Sequence, residues 1–289
     1  MKSSIMISEI RSLMKGGYDL HVHNKPSHFD SRQWDDAEVA KQYDECEFGG
    51  FLSKSHYDSS VARAQVANIN SGAKTQIYGG VTLNWPVGGL NPYAVESCLK
   101  FGGKMVWMPT RDSANCLAYG NMHGDFFDRN PVEVTDKNGK LVKGVYDVFD
   151  VVKKYNGWLA TGHISPKEAV LLCTEGRARG VNMILTHPDW NRTIVPLEQQ
   201  KKLADMGVMV EKIWGNVIKG HITADDMAHS ICTLGKEHVF LVTDLGQKNW
   251  PRPVDGMTDF LISLMERGIS ADMLRTMIYE NSKMILREI

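Results

Sequence analysis

The stretch Asp19-Leu20-His21-Val22-His23 decides how this chain of 289 residues is interpreted. Its two histidines are separated by one residue, and side chains at that spacing point to the same face of a β-strand. Two imidazoles on one face, with backbones about 6.6 Å apart, can converge on one cation at about 2.1 Å when other ligands arrive from elsewhere. The stretch predicts a strand and the start of a metal site; two buried, hydrogen-bonded histidines are the alternative at this point.

The composition excludes several classes of partner. Lys and Arg total 33 and Asp and Glu total 34, so the formal net charge of −1 gives no argument for nucleic acid or an anionic membrane. No apolar run approaches the length of a membrane span, and residues 1–14 lack the uninterrupted apolar core of a signal peptide. The widely spaced cysteines, 5 in number, are typical of reduced thiols. We therefore expect a cytoplasmic protein that acts on a small molecule.

From residue 19 onward, short apolar runs alternate with longer amphipathic segments. Eight runs are predicted to be strands, and in chain order they are residues 18–23, 51–54, 76–83, 104–108, 158–163, 181–187, 208–213 and 238–244. Eight strand and helix units in about 250 residues predict an α/β protein, a (β/α)8 TIM barrel that forms a single domain over residues 1–289. A doubly wound open sheet is the alternative, and it is disfavoured because no G-x-G-x-x-G loop follows an early strand.

The longest irregular stretch, residues 110–143, follows the fourth predicted strand. Within it, residues 132–142 predict a β-hairpin, since Asn138-Gly139 is the dipeptide that a tight I′ turn requires. We expect a long loop and hairpin insertion after strand four, of the kind that often serves as a lid or binding loop.

Polar side chains end most of the predicted strands, and barrel enzymes carry their chemistry at that end. In strand order these residues are His21 and His23, Lys54 and His56, Asn84, Thr110, His163, His187, Glu211 and Lys212, and Asp244. The amide and hydroxyl that end strands three and four are less informative than the imidazoles and carboxylates. Four imidazoles and one carboxylate that meet at the mouth of one barrel predict a divalent metal site.

The order of these residues resembles the amidohydrolase superfamily of metal-dependent barrel hydrolases. The resemblance rests on His-x-His in strand one, a His ending each of strands five and six, and an Asp ending strand eight, and it extends over residues 19–286. Three stretches resemble a poorly characterised branch of that superfamily: Gly162-His163-Ile164-Ser165, Leu185-Thr186-His187-Pro188 and Thr243-Asp244-Leu245-Gly246. The resemblance implies one or two divalent ions, zinc first and manganese or iron as alternatives, and a metal-activated water.

The resemblance also implies roles for single residues. His21, His23 and His163 would bind the metal, and Asp244 would share in binding it and move a proton from water to the leaving group. His187 would ligate a second ion or donate a hydrogen bond to a substrate oxygen.

The end of strand four departs from the pattern of the superfamily. Many members with two metals carry a bridging carboxylated Lys or a Glu there, where this chain has Met108-Pro109-Thr110. Lys54 and Glu211 are the candidates for a bridging ligand, and the alternative for Lys54 is a cation that neutralises carboxylates or holds a substrate oxygen.

Substrate contacts are expected from loops that follow the strands. Arg111, Arg192 and Trp214 are the candidates, because a basic residue and an aromatic ring suit a carboxylate or carbonyl on a small molecule. The alternative is that the tryptophans pack loops against the barrel.

The sequence thus predicts a metal-dependent hydrolase that cleaves a C–N or C–O bond of a small amide, cyclic amide, lactone or ester. A mononuclear metal-dependent decarboxylase or lyase on the same barrel is the alternative. A phosphoesterase and a ligand-binding barrel with a structural metal rank lower. We also expect a homo-oligomer, since helices exposed on a barrel commonly support one.

Overall fold

A computed structural model describes residues 4–28, 32–120 and 129–287 of the chain, with side chains from residue 7 onward. It contains a sheet of eight strands in sequential order. The strands are β1 (Tyr18–Val22), β2 (Gly50–Ser53), β3 (Gln76–Thr82), β4 (Met105–Trp107), β5 (Trp158–Ala160), β6 (Asn182–Leu185), β7 (Met209–Ile213) and β8 (Val239–Val242).

One helix precedes β1, and helices follow every strand along the chain. They are α1 (Ser4–Met14), α2 (Asp36–Asp44), α3 (Val61–Asn70), α4 (Pro92–Lys100), α5 (Ala114–Tyr119), α6 (Lys143–Lys154), α7 (Pro166–Ala178), α8 (Leu197–Asp205), α9 (Trp214–Ile218), α10 (Ala224–Leu234), α11 (Pro253–Met265), α12 (Ala271–Arg275) and α13 (Asn281–Leu286). Short 3-10 turns cover Trp85–Val87 and Lys236–His238, and a π-helical turn covers Thr276–Glu280. No helix in the described ranges is long and apolar enough to cross a membrane.

The strands pair in parallel, and the first strand has a neighbour on each side. β1 pairs with β2, with Asp19 opposite Phe51. On its other edge, the carbonyl of His21 accepts a hydrogen bond of 2.9 Å from the backbone N–H of Asp244, which follows β8. Sequential parallel strands that alternate with helices confirm the (β/α)8 TIM barrel, and the same order excludes the doubly wound sheet, whose strand order reverses.

The chain comprises two compact units by its internal contacts. The first unit contains residues 1–53, 63–78 and 212–289, and the second contains residues 54–62 and 79–211. The first has its own core of buried side chains, among them Leu20, Tyr43, Phe51, Leu241 and Phe260. The single domain predicted from the sequence stays a prediction.

The core of the second unit shows why its helices cover the strands. Helix α6 buries Val145, Val148, Phe149 and Val152, the spacing of one helical face. These side chains belong to one apolar cluster with Leu159 of β5 and with residues of β3, β4 and β6.

Capping residues set the starts of two helices. The Ser165 hydroxyl accepts a hydrogen bond from the backbone N–H of Glu168, and the Glu168 carboxylate accepts one from the Ser165 N–H. Pro166 is the first residue of α7. The Thr223 side chain accepts from the N–H of Asp226 at the start of α10.

The segment after β4 differs from the prediction in two respects. Thr135 and Leu141 form an antiparallel bridge, but the turn spans residues 136–139, where the Gly139 N–H donates to the carbonyl of Asp136 at 2.9 Å. A I′ turn centred on Asn138-Gly139 needs a positive φ at both residues, but only Gly139 in this turn has one. The prediction of a I′ turn at Asn138-Gly139 is therefore wrong. Helix α5, capped by Ser113, lies in the stretch expected to be irregular. Residues 121–128 of the predicted insertion lie outside the described residues.

Candidate metal centre and a neighbouring imidazole cluster

Three of the predicted ligands meet in the first unit. His21 Nε2 lies 3.3 Å from His23 Nε2, and Asp244 Oδ1 lies 3.4 Å and 3.1 Å from these two nitrogens. All three side chains are buried. Among the described residues, they are the group of His, Cys, Asp and Glu side chains that could hold a metal ion.

The spacing of these atoms fits a divalent ion. Ligand atoms about 2.1 Å from a cation are about 3.0 Å apart in an octahedron and about 3.4 Å apart in a tetrahedron. Two imidazoles and a carboxylate suit Zn²⁺, Mn²⁺ or Fe²⁺. Burial, and after it the positive charge of Arg32, hold the pKa of His23 well below its usual value, so this imidazole is neutral, as a ligand must be.

Backbone conformation brings Asp244 to the two histidines. Asp244 has a φ of +54°, a conformation that costs free energy for any residue other than glycine and is concentrated at functional sites. Two residues later, Gly246 has a φ of +119°, and a Cβ there would lie 1.6 Å from the carbonyl oxygen of His23. Only glycine permits this approach of the segment after β8 to the end of β1.

A buried carboxylate lies behind the three residues. Asp19 is fully buried, and its Oδ2 accepts hydrogen bonds of 2.6 Å from both the Tyr43 and the Thr243 hydroxyl. Its Oδ1 accepts from the N–H groups of Thr243 and His21. Burial raises the pKa of Asp19 to about 6, although these hydrogen bonds act in the opposite direction. The network fixes Thr243, the neighbour of Asp244, and the backbone of His21, and no pattern in the sequence indicated it.

A lysine that the sequence analysis also missed faces the same carboxylate. Lys219 Nζ lies 3.7 Å from Asp244 Oδ2 and 5.4 Å from the centre of the Trp250 ring. Lys219 follows α9, which begins directly after β7. Its position shortly after a strand end was the one signal in the sequence. That signal does not distinguish Lys219 from an ordinary solvent-exposed lysine at the end of a short helix.

A second group of predicted residues meets in the second unit. The His163 and His187 ring centres are 5.2 Å apart, and the Trp190 ring lies 5.0 Å from the first and 5.3 Å from the second. The His56 ring lies 5.7 Å from that of His163. We call His56, His163, His187 and Trp190 the imidazole cluster.

Local backbone features position this cluster. His187 has a φ of +52°, and it is the second predicted site residue, with Asp244, in the left-handed region. Gly162, with a φ of +62°, approaches the carbonyl of Met108 so closely that a Cβ would lie 2.2 Å from it. His163 is thereby set at the end of β5, where its N–H donates to the Pro109 carbonyl.

The residues that end strands three and four turn out to orient His56. The Asn84 carbonyl oxygen accepts from the N–H groups of Thr110 and Asp112, which fixes the amide. Its NH2 group donates to Thr110 Oγ1 at 2.7 Å, and that oxygen lies 2.9 Å from His56 Nδ1. This contact orients the His56 ring toward the Thr110 hydroxyl.

The remaining predicted residues are buried to different degrees. Lys54 is buried, with Nζ 5.1 Å from the Trp107 ring centre, and Glu211 lies fully buried in β7. Arg111 is half-buried. The Trp214 ring stacks on Phe260 with centres 5.2 Å apart, as in the packing alternative.

Comparison with known proteins gives the following matches. The model of a family of unknown function (DUF6282) matches residues 16–211. No curated protein matches the chain significantly. An amidohydrolase from Pseudomonas aeruginosa is 14% identical in sequence, with a TM-score of 0.66 and 98% of each chain covered. A 2,6-dihydroxybenzoate decarboxylase from Rhizobium is 12% identical, with a TM-score of 0.56, over 95% of this chain and 99% of the other.

A third solved structure extends the range of reactions. A protein described as a 2-pyrone-4,6-dicarboxylic acid hydrolase from Pseudomonas putida is 11% identical, with a TM-score of 0.59, over 95% of this chain and 98% of the other. These three structures are thus amidohydrolase-superfamily proteins that include two hydrolases and a decarboxylase. At these identities the likeness confirms the fold that the strand-end pattern indicated.

Proposed function

The chain belongs to the DUF6282 family, whose function is unknown, and we propose that it is a divalent-metal-dependent hydrolase with the fold of the amidohydrolase superfamily. The observation that carries the proposal is the convergence of His21, His23 and Asp244 on one point, with Asp244 held in a strained backbone conformation. Strain that is retained at a cluster of potential ligands favours a functional role over a purely structural one.

The three side chains would hold one divalent ion, with zinc as the first candidate. Such an ion would act as a Lewis acid toward a substrate oxygen or a water molecule. The neutral imidazole of His23 supplies a lone pair without prior loss of a proton. The roles predicted for His163, His187, Lys54 and Glu211 as further ligands stay predictions, and so does a second ion.

Asp244 can serve two purposes through its two oxygens. Oδ1 faces the imidazoles of His21 and His23, whereas Oδ2 faces the ammonium group of Lys219. We propose that Oδ2 accepts a proton from the attacking water and returns it to the leaving group. A carboxylate in that role is a general base first and a general acid afterwards.

The proposed reaction is cleavage of a C–N or C–O bond in a small amide, cyclic amide, lactone or ester. In the second unit, His187 would donate a hydrogen bond to a substrate oxygen, and Arg111 and Arg192 would contact the rest of the molecule. Decarboxylation is the second candidate, because one protein of the same fold is named as a decarboxylase. A cytoplasmic location and a homo-oligomer are further proposals.

Metal analysis tests the proposal. We expect protein purified without chelators to contain a divalent metal, and His23→Ala and Asp244→Asn to weaken metal binding by about 100-fold or more. His229→Ala is the matched control, since His229 is exposed on α10. Wild-type protein that contains no metal and gains no activity from added Zn²⁺ or Mn²⁺ would overturn the proposal.

Isotope labelling separates the two reaction classes. Hydrolysis in H2¹⁸O transfers one ¹⁸O atom to the product, and decarboxylation releases CO2 without that incorporation. A panel of esters, lactones, amides and aromatic acids should be screened with metal-loaded protein. Release of unlabelled product together with CO2 would favour the decarboxylase.

A further inference from the structure

Arg192 is a cation that lacks an anionic partner among the described residues. It is half-buried in the loop after β6, and no described carboxylate lies within ion-pair distance of it. Within the described chain, its guanidinium has one hydrogen-bond acceptor, the Cys116 sulfur, 3.8 Å from Nη1. A thiol is a weak acceptor, so the described residues leave most of the donor capacity of this guanidinium unused.

Two aromatic rings hold the guanidinium in place. Arg192 Cζ lies 4.4 Å from the centre of the Tyr119 ring and 4.9 Å from the centre of the Trp190 ring. An arginine stacked on aromatic faces keeps its N–H groups in the plane of the guanidinium, directed away from the rings. This arrangement presents a fork of donors to a planar acceptor.

The backbone around Arg192 is also fixed. The Asn115 side-chain amide donates to the Arg192 carbonyl at 3.0 Å and to the His163 carbonyl at 3.1 Å. The next residue, Thr193, donates from its hydroxyl to the His187 carbonyl at 2.6 Å. The loop is therefore held at the ends of β5 and β6. Binding of a ligand to Arg192 consequently costs little conformational entropy for ordering the loop.

Arg192 is also close to the imidazole cluster. Trp190, which it overlies, contacts both His163 and His187. The Cys116 sulfur that accepts from Arg192 lies 4.0 Å from His163 Nδ1, so one thiol separates the guanidinium from that imidazole. A small molecule bound to Arg192 would place its other end at the cluster.

The geometry points to Arg192 as a binding site for the carboxylate group of a small, planar substrate. One guanidinium offers a single positive charge and two parallel N–H donors, which match one carboxylate in charge and shape. The adjacent rings of Tyr119 and Trp190 offer apolar faces for the remainder of the molecule. This inference rests on the proposed function, because that function assigns His187, a member of the imidazole cluster, to a substrate oxygen.

Benzoate and benzamide, which differ in charge but hardly in shape, are the probes, with affinity for the full chain measured by titration calorimetry. Wild type should bind benzoate more tightly than benzamide. Arg192→Gln should weaken benzoate binding about tenfold or more, because charge-assisted hydrogen bonds are lost. Arg192→Lys keeps the positive charge and should weaken benzoate binding less. Benzoate binding by Arg192→Lys would show that substitution at this position does not unfold the site. Arg179→Gln is the control, since Arg179 also stacks on a ring, that of Tyr146 at 4.5 Å.

Equal benzoate affinity in wild type and Arg192→Gln would overturn the inference, as would a wild type that does not prefer benzoate to benzamide. These outcomes are distinct from failure of the metal hypothesis. If His23→Ala loses metal while Arg192→Gln still binds benzoate, the carboxylate site is wrong and the metal site stands. If Arg192→Gln loses benzoate while His23→Ala keeps its metal, the carboxylate site stands and the metal site is wrong.

Discussion

Lys219 holds its ammonium nitrogen 3.7 Å from Oδ2 of Asp244, the carboxylate whose other oxygen faces two histidines. A positive charge at this distance opposes the binding of a cation, but it favours the ionised form of the carboxylate. The lysine side chain is 32% exposed, so solvent screens part of this effect.

Replacement of this lysine should therefore tighten metal binding. We expect Lys219→Met to lower the Zn²⁺ dissociation constant by about two- to fivefold, because one nearby positive charge is removed. Lys219→Arg should leave it near the wild-type value. Competition with a chromophoric chelator provides the measurement, with Lys236→Met, a substitution on the 3-10 turn Lys236–His238, as control. Weaker binding in Lys219→Met would show that the lysine instead holds Asp244 in place.

Gly246 should be far more sensitive to substitution than other glycines with a positive φ. In Gly246→Ala the new Cβ would overlap the His23 carbonyl, so β1 and the segment after β8 must separate. We expect this variant to lose metal binding. Gly72→Ala, at a φ of +69° with nothing within 4 Å of the new Cβ, should cost only about 1 kcal/mol of unfolding free energy and keep its metal. Urea denaturation and metal analysis of both variants test this, and equal losses would contradict it.

The periodicity of the chain was enough to predict the barrel and one corner of the candidate site. Two-residue spacing placed His21 and His23 on one face, and the order of the strands brought Asp244 to them. These are local patterns combined with a known topology, which is why they could be found in the sequence. Strand ends were less accurate, since β8 ends at Val242, two residues before the predicted end at residue 244.

Contacts between distant parts of the chain could not be predicted. Asn84 and Thr110 were expected to be less informative than the imidazoles and carboxylates, yet they orient His56 through a hydrogen-bond network that exists only when three strand ends meet. Lys219 gave no periodic signal, because its role depends on one oxygen of Asp244. Such residues have functional positions without any distinctive local sequence.

The thiols should differ sharply in reactivity. Cys232 is exposed, whereas the other cysteines are buried, and burial raises the pKa of the Cys173 and Cys46 thiols. We expect one thiol to react rapidly with Ellman's reagent in the native protein and all 5 to react in guanidinium chloride. Cys232→Ser should abolish the rapid phase. Two or more rapid thiols in the native state would contradict the burial described for this chain.

Asp19 should make stability depend on pH in a defined window. Burial raises its pKa from an ordinary 3.8 to about 6, so between these values the folded state binds a proton that the unfolded state has released. The stability that this group contributes is therefore fully present below about pH 3.8 and is lost as the pH rises through about 6.

The variant Asp19→Asn removes this titration while it keeps one donor and one acceptor, as in the protonated carboxyl. In metal-free protein we expect the unfolding free energy of wild type, relative to this variant, to fall by on the order of 3 kcal/mol between pH 4 and pH 7 and to level off above. Urea titrations across that range provide the measurement. Asp272→Asn is the control, since the Asp272 side chain is 79% exposed. A constant difference between wild type and Asp19→Asn would mean that Asp19 is ionised throughout, because the hydroxyls of Tyr43 and Thr243 then outweigh its burial.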